Sequence, residues 1–336
     1  MTRYLISTDV KQANNAGYKA KQDIVHIMNN CVPIFIPSKL RIMNSLRYLT
    51  TGIKKLLLPI KEGDEVIIQF PLEGFYPLSI LWMKAVYKQL SLKKAHIITI
   101  VHDLDGLRYD DNKKRQNDVE ILNYSDDIIV HSEAMKKWLI DAGVTKNMVI
   151  LEMFDYLTDD YELPGSLEQK IVFAGNLNKS SFLKRETLFN LDVFGPCDFV
   201  DQLPKNIQYR GSVSPDELVQ YISKYSFGLV WDGESLDEIS GNTGHYLKYN
   251  APHKFSLYLA AGVPVITWKE AAIADVIEKY KLGIVVESLN NLMPKLNQMT
   301  DVQYQQMRDN VYHVRQKVLN GKHILESLDR TKLSNV

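Results

Sequence analysis

The feature of this sequence that most limits its fold is a rhythm of short apolar runs, rich in isoleucine and valine, set between longer stretches of helical periodicity. The first series occupies residues 4–9, 32–37, 65–71, 96–103, 126–132 and 147–153. The second occupies 171–177, 191–195, 207–212, 227–232, 264–269 and 282–288. Runs this continuous suit strands buried on both faces, and the helix-length segments between them suit the crossovers of a parallel sheet. The two series are separated by DYLTDDYELPGSLE at residues 155–168, an acidic stretch punctuated by Pro164 and Gly165, which is linker chemistry. A chain of 336 residues is too long for one ordinary core and fits two domains of about 150 residues each. The expected fold is α/β with two Rossmann-like domains, residues 1–160 and 161–336.

One helix start is spelled out in the second half. Ser214 is a cap, Pro215 suits the first helical position, and Glu217 completes a capping box before LVQYISKY. Residues 301–328 read as one or two polar helices. Composition then removes several function classes. The 40 basic and 40 acidic residues cancel, so no broad positive surface is available to draw nucleic acid. Cys31 and Cys197 lie far apart without C-x-x-C spacing, which predicts no disulfide and fits a reducing, cytoplasmic setting. No stretch supplies the roughly eighteen apolar residues of a spanning helix, and MTRYLISTDVKQ lacks the apolar run of a signal peptide. The expectation is a soluble protein with no transmembrane segment.

In open parallel sheets, ligands collect beyond the carboxyl ends of the strands, so the residues that follow each run are the ones to read. After the first run, NNAGYKAK at residues 14–21 places Asn15 and Gly17 where the backbone can pass close to a ligand as a helix opens. It lacks the G-x-G-x-x-G spacing, which argues against a dehydrogenase. At the end of the seventh run, AGNLNKSSFLK sets Gly175 and Asn176 in a tight turn and Lys179 at or near a helix start, a combination suited to phosphate oxygens. The strongest signal is YNAPHKFSLYLAAGVPVI at residues 249–266. Pro252 prepares a helix, His253 and Lys254 sit in its first turn, and Gly262 with Pro264 turns the chain into the next strand. A lysine in a first turn opposes the helix macrodipole, which suggests an anionic partner. The basic stretch at 38–58 reads as a solvated helix in preference to a membrane or acceptor contact.

These segments carry a resemblance. The second half resembles the donor-nucleotide domain of GT-B glycosyltransferases, in its glycine-Asn-Leu turn with a nearby lysine, its helix ending in LAAGVPVI, and the following AAIADVIEKYKLGIVV. The first half shows the matching pattern DDIIVHSEAMKKWLIDAGV. More closely, NNAGYKAKQDIV, VHDLDGLR and NAPHKFSLYLAAGVPVI resemble the glucosyltransferase 3 family, which extends O-linked N-acetylglucosamine on serine-rich-repeat adhesins, and its galactofuranosyltransferase relatives. One departure stands out. Many retaining enzymes of this fold carry two glutamates before the alanine-glycine-proline turn, and those positions here hold Tyr249 and Leu257, so the nucleotide ribose must be held differently.

The resemblance implies a GT-B fold with two parallel sheets facing a central cleft and C-terminal helices packed back on the N-terminal domain. It implies a UDP-sugar donor, UDP-glucose first, and a glycosylated Ser/Thr-rich protein as acceptor. Lys179 and Lys254 would neutralise the diphosphate, with Asn15, Gly17, Gly175 and Asn176 close to it. Tyr209 would stack on the base or simply pack against its sheet, and Asn250 and His253 would contact ribose or sugar. HDLDGLR at 102–108 ends the fourth strand, where Asp103 has the chemistry of a general base and His102 that of a sugar contact, against the plainer reading of a turn cap and a satisfied sheet-end residue. Asp103 and Asp105 also form a D-x-D, a pattern that holds a divalent metal in another glycosyltransferase fold. Two Rossmann-like halves with two lysines at the diphosphate favour a site with neither metal nor other cofactor. The family implies a homo-oligomer, dimer or tetramer. A catalytically silent glycan-binding partner and a nucleotide-sugar epimerase are the competing readings.

Overall fold

The computed structural model of the protein describes residues 1–9, 16–37, 48–72, 78–159 and 170–333. The strands are β1 (Arg3–Asp9), β2 (Val32–Pro37), β3 (Glu65–Phe70), β4 (His96–Val101), β5 (Asp127–Val130), β6 (Asn147–Ile150), β7 (Ile171–Ala174), β8 (Leu191–Phe194), β9 (Ile207–Tyr209), β10 (Phe227–Val230), β11 (Val265–Trp268) and β12 (Gly283–Val286). They form two six-stranded sheets, β2-β1-β3-β4-β5-β6 and β12-β11-β10-β7-β8-β9, in which every recorded pairing is parallel. Eleven of the twelve strands fall inside an apolar run, and β1 begins one residue ahead of its own, at Arg3. Most are shorter than their run, because the run's last residues leave the ladder and form the loops that matter for function.

The burial of the strands follows their place. β3, β5, β7, β10 and β11 are buried along their whole length, as strands covered by helices on both faces must be. β2 lies at an edge, exposes Val32 and Phe35, and carries Pro33 and Pro37, residues that an edge tolerates because it lacks one ladder partner.

The longer helices are α1 (Ala16–Ile27), α2 (Ser79–Leu92), α3 (Asn112–Leu122), α4 (Glu133–Asp141), α5 (Pro215–Ile222), α6 (His253–Ala260), α7 (Asp301–Leu319) and α8 (Lys322–Leu333). α5 begins as expected, with Ser214 accepting from the Glu217 N–H and Pro215 in the first turn. The Glu217 carboxylate accepts from the Ser214 hydroxyl at 2.7 Å. The full reciprocal capping box stands instead at Thr300 and Gln303, which start α7. The polar C-terminal stretch is two helices. One residue in it is apolar in its surroundings only: Arg315 is fully buried and its Nε donates to the Ala260 carbonyl at 2.7 Å, neutralising the C-terminal end of α6.

The chain divides into two compact units, one of Met1–Ala13, Lys21–Leu151 and Ile324–Val336, the other of Asn14–Ala20 and Glu152–His323. Among the described residues, no helix is long and apolar enough to cross a membrane. Of the basic stretch at 38–58, residues 38–47 lie outside the described residues.

Candidate functional site

In the second unit the chain passes from β7 outward through β8 and β9, then returns to the far side of β7 as β10. Loops leaving β7 and β10 therefore diverge, and the carboxyl ends of these two strands are the default ligand position. Lys254, the second residue of α6, delivers its ammonium there. Its Nζ lies 2.9 Å from Asp232 Oδ1, 3.4 Å from the Trp231 carbonyl oxygen and 4.6 Å from the ring centroid of Phe173. Phe173 belongs to β7, and Trp231 and Asp232 are the first residues beyond β10. Gly175, at φ 150°, turns the backbone beside the lysine: a Cβ built there would lie 3.9 Å from Lys254 Cε. The structure thus brings together Gly175 and Lys254, and it supplies part of the anionic partner that the first-turn lysine called for. That partner is Asp232, which also accepts from the Ser180 hydroxyl at 3.1 Å.

The GNLNK turn departs from expectation. It winds as a single 3-10 turn, Leu177–Lys179, followed by another over Ser181–Lys184, and no α-helix opens there. The short polar side chains explain this, since they take backbone groups that a helix would use. Asn176 accepts from the Asn178 N–H, and Asn178 Oδ1 accepts from the Asp198 N–H at 2.8 Å. Lys179 is exposed and carries its charge without a helix dipole behind it. The dipole that remains belongs to α6, whose N-cap is Pro252.

His253 and Asn250 flank Lys254. Burial pushes the His253 imidazole down to about 3, with the charge of Lys19 adding to the effect, so the ring is neutral at physiological pH. Its Nε2 and the Oδ1 of Asn250 are sealed from solvent and make no hydrogen bond among the described residues. Such atoms carry an unmet desolvation cost that a ligand hydroxyl would relieve. The His253 ring stacks on Tyr156 at 4.9 Å between centroids. Lys19 closes the cluster, with its Nζ 5.0 Å from the Tyr156 ring centroid, 2.6 Å from the Leu157 carbonyl oxygen and 3.1 Å from Asp216 Oδ1. Gly17 is an exposed residue of the same first turn of α1, inside the helix and not ahead of it. Asn15 lies outside the described residues.

Three glycine loops run side by side at the carboxyl ends of β7, β8 and β9. The Gly175 N–H donates to the Phe194 carbonyl at 3.0 Å, and the Gly195 N–H to the Gly211 carbonyl at 2.9 Å. All three glycines have positive φ. Tyr209 ends β9 and is half-buried against the core of the unit.

His102 and Asp103 belong to the first unit, beyond β4. The buried side chain of Gln69 organises His102. Gln69 Nε2 lies 3.1 Å from both Ser7 Oγ and the Lys21 carbonyl, leaving its Oε1 to face His102 Nε2 at 2.8 Å. In that assignment Nε2 carries the proton and Nδ1 the lone pair. Asp103 Oδ2 accepts from Arg108 Nη1 at 2.9 Å, across the HDLDGLR turn. Asp105 opens the short helix Asp105–Arg108, one residue before Gly106, where the turn is anchored from outside. That anchor is Asp118 in α3, whose Oδ2 accepts from the Gly106 N–H at 2.8 Å.

Burial pushes the Asp118 carboxyl up to about 7, with Asp105 adding to the rise. A folded pKa above the unfolded one means that Asp118 stabilises the fold below about pH 4, and that this contribution is lost as pH rises towards 7, by up to about 1.4 kcal/mol per pH unit. Asp118→Asn keeps an acceptor for Gly106 and removes the charge. Thermal unfolding should show the variant gaining stability relative to the unsubstituted protein between pH 5 and pH 8; a Tm difference that does not change with pH would show that Asp118 does not titrate there.

Asp232, Gln69, Asp118 and Lys19 are the participants that motif reading passed over. Asp232 had a signal, since it is the charged last residue of the apolar run 227–232, as Asp103 is of the run 96–103.

The sequence matches the family model described as glucosyltransferase 3-like, N-terminal domain, over residues 2–153, and the one described as glucosyltransferase 3-like, C-terminal domain, over residues 171–331. It is 29% identical over 328 residues to beta-1,6-galactofuranosyltransferase WbbI of Escherichia coli K12, covering 94% of each chain. It is 30% identical over 270 residues to glucosyltransferase 3 of Streptococcus gordonii, covering 78% of this chain and 77% of that one. Among solved structures, Anabaena HepE in complex with UDP and glucose superposes over the full length of both chains with a TM-score of 0.61 at 12% identity, which establishes a shared GT-B fold.

Proposed function

This chain belongs to the glucosyltransferase 3-like family and is a glycosyltransferase, and from that premise we propose that it transfers glucose from UDP-glucose to a hydroxyl of a glycan, O-linked N-acetylglucosamine on a serine-rich-repeat adhesin. The observation that carries the donor reading is the placement of Lys254, at the N-terminal end of α6 and beside the Gly175 turn, where β7 and β10 part. In the reaction the bond between sugar C1 and the diphosphate breaks, a bond between C1 and the acceptor oxygen forms, and UDP leaves with increased charge. Lys254, the α6 terminus and Lys179 stabilise that charge, a role that elsewhere belongs to a metal ion. The acceptor's proton goes to Asp103, with His102 as a sugar contact; Gln69 and Arg108 hold these two side chains in place. Neutral His253 and Asn250 offer unmet polar atoms to the ribose or the hexose. A reducing cytoplasm and a homo-oligomeric assembly complete the reading.

A second donor is favoured by one observation. The galactofuranosyltransferase relative matches 94% of the chain, against 78% for the glucosyltransferase. Purified protein should be incubated, in excess chelator, with UDP-glucose or UDP-galactofuranose and a glycopeptide ending in N-acetylglucosamine. Product that gains glucose, with release of UDP, supports the reading. Transfer from UDP-galactofuranose alone replaces the donor, activity only after divalent metal is restored removes the metal-free mechanism, and intact UDP-sugar in every arm points to a silent partner.

A further inference from the structure

The ladder between β7 and β10 pairs Phe227 with Ile171 and Gly228 with Val172, and there it ends. The neighbouring β7–β8 ladder runs on to Ala174 and Phe194. Had the β7–β10 register continued, the Ala174 N–H would bond to the Leu229 carbonyl, one residue before its partner, as parallel pairing requires. Those two groups are instead joined through a third. The hydroxyl of Tyr258, from α6, accepts from the Ala174 N–H at 2.9 Å and donates to the Leu229 carbonyl at 3.0 Å.

The Tyr258 side chain is fully buried, and its ring can lie on β10 only because residue 228 is glycine. A Cβ on Gly228 would lie 2.3 Å from Tyr258 Cγ. Beyond the interrupted bond come Gly175 on one strand and, after Val230, Trp231–Asp232 on the other, both beside Lys254. Lys254 and Tyr258 are four positions apart on one helix and so share a face.

We propose that Tyr258 is a positioning residue for the donor: its hydroxyl wedges apart the carboxyl ends of β7 and β10 and sets the width of the crevice that takes the diphosphate of a nucleotide sugar. This inference rests on the nucleotide-sugar reading of the site given above. Each of the two backbone groups keeps a hydrogen bond, so the sheet opens without leaving a buried polar group unmet. The wedge and the cation ride on one helix, so the gap and the charge that fills it are set together.

The test is calorimetric titration of the full chain with UDP at a temperature where every variant is folded. Tyr258→Phe removes one oxygen and should weaken UDP binding about tenfold, the order expected when a buried hydroxyl with two hydrogen bonds that position the site is lost. Gly228→Ala, which displaces the ring, should do the same. Val311→Ala, a truncation of a fully buried core residue in α7, serves as the control: its Tm should fall while its UDP affinity stays. Unchanged affinity in Tyr258→Phe overturns the proposal and leaves the donor reading standing. An equal loss of affinity in Val311→Ala overturns it too, because general loosening would then account for the effect. No UDP binding by the unsubstituted protein removes the donor reading and the wedge together.

Discussion

Lys254→Met is expected to lower kcat/KM for the donor by about a hundredfold to a thousandfold, the loss seen when one preorganised group facing developing charge is removed. The same substitution should lower stability, for a separate reason. Lys254 and Asp232 are 15% and 17% exposed in their side chains and 2.9 Å apart, so methionine leaves a poorly solvated carboxylate that keeps the Ser180 hydroxyl but has lost its cation. A fully buried pair broken in this way costs about 3–5 kcal/mol, and the partial exposure here brings the expectation to about 1–3 kcal/mol.

The two effects can be separated. Lys254→Met combined with Asp232→Asn removes both charges and should recover most of the lost Tm without recovering turnover. Steady-state kinetics and thermal unfolding on both variants decide the matter. Recovery of turnover along with Tm would show that the lysine serves the fold alone.

Asp232 also bears on how the site works between reaction cycles. An ammonium without a counterion over the Phe173 ring would be costly to hold in place, and Asp232 supplies that counterion. The ammonium is thereby held ready beside the Gly175 turn. A diphosphate arriving there shares or replaces the carboxylate, so the lysine needs little ordering on binding.

The fold was legible because strand burial in doubly wound sheets writes continuous apolar runs, and eleven of the twelve strands fall within such runs, with β1 starting one residue ahead of its own. Caps at Ser214 and the cationic first turn at Lys254 were legible because both depend on neighbours in sequence. The GNLNK turn is ambiguous in sequence because glycine, asparagine and a nearby lysine fit both an α-helix start and a 3-10 turn, and the long-range bond from the Asp198 N–H to Asn178 that accompanies the 3-10 form has no local signature. Tyr258 read as one more aromatic on a core helix. Its role comes from Ala174 and Leu229, 84 and 29 positions away, and no local pattern encodes a hydroxyl inserted into a ladder. Gln69 was hidden in the same way, as a polar residue inside an apolar run whose partners come from β1, α1 and the loop after β4.

Gly195→Ala should do more damage than its size suggests. Gly195 has φ 133°, and a Cβ on it would lie 1.8 Å from the carbonyl oxygen of Gly175. That oxygen is backbone, so no rotamer change relieves the overlap, and the Gly175 turn itself must move away from Lys254. The expected result is a stability loss of about 2–4 kcal/mol, combining backbone strain with overpacking, together with loss of UDP binding. Gly211→Ala is the matched comparison. Gly211 also has positive φ, at 93°, but among the described residues a Cβ there would meet nothing within 4 Å, so strain alone should cost about 1–2 kcal/mol and UDP affinity should persist. Thermal unfolding and UDP titration on the two variants isolate the steric push on the Gly175 turn from the shared strain of positive φ. Equal losses of UDP affinity in both would mean that the turn's distance from Lys254 is not what donor binding depends on. A loss confined to Gly195→Ala would fix the Gly175 carbonyl's present position as the one that the donor site requires.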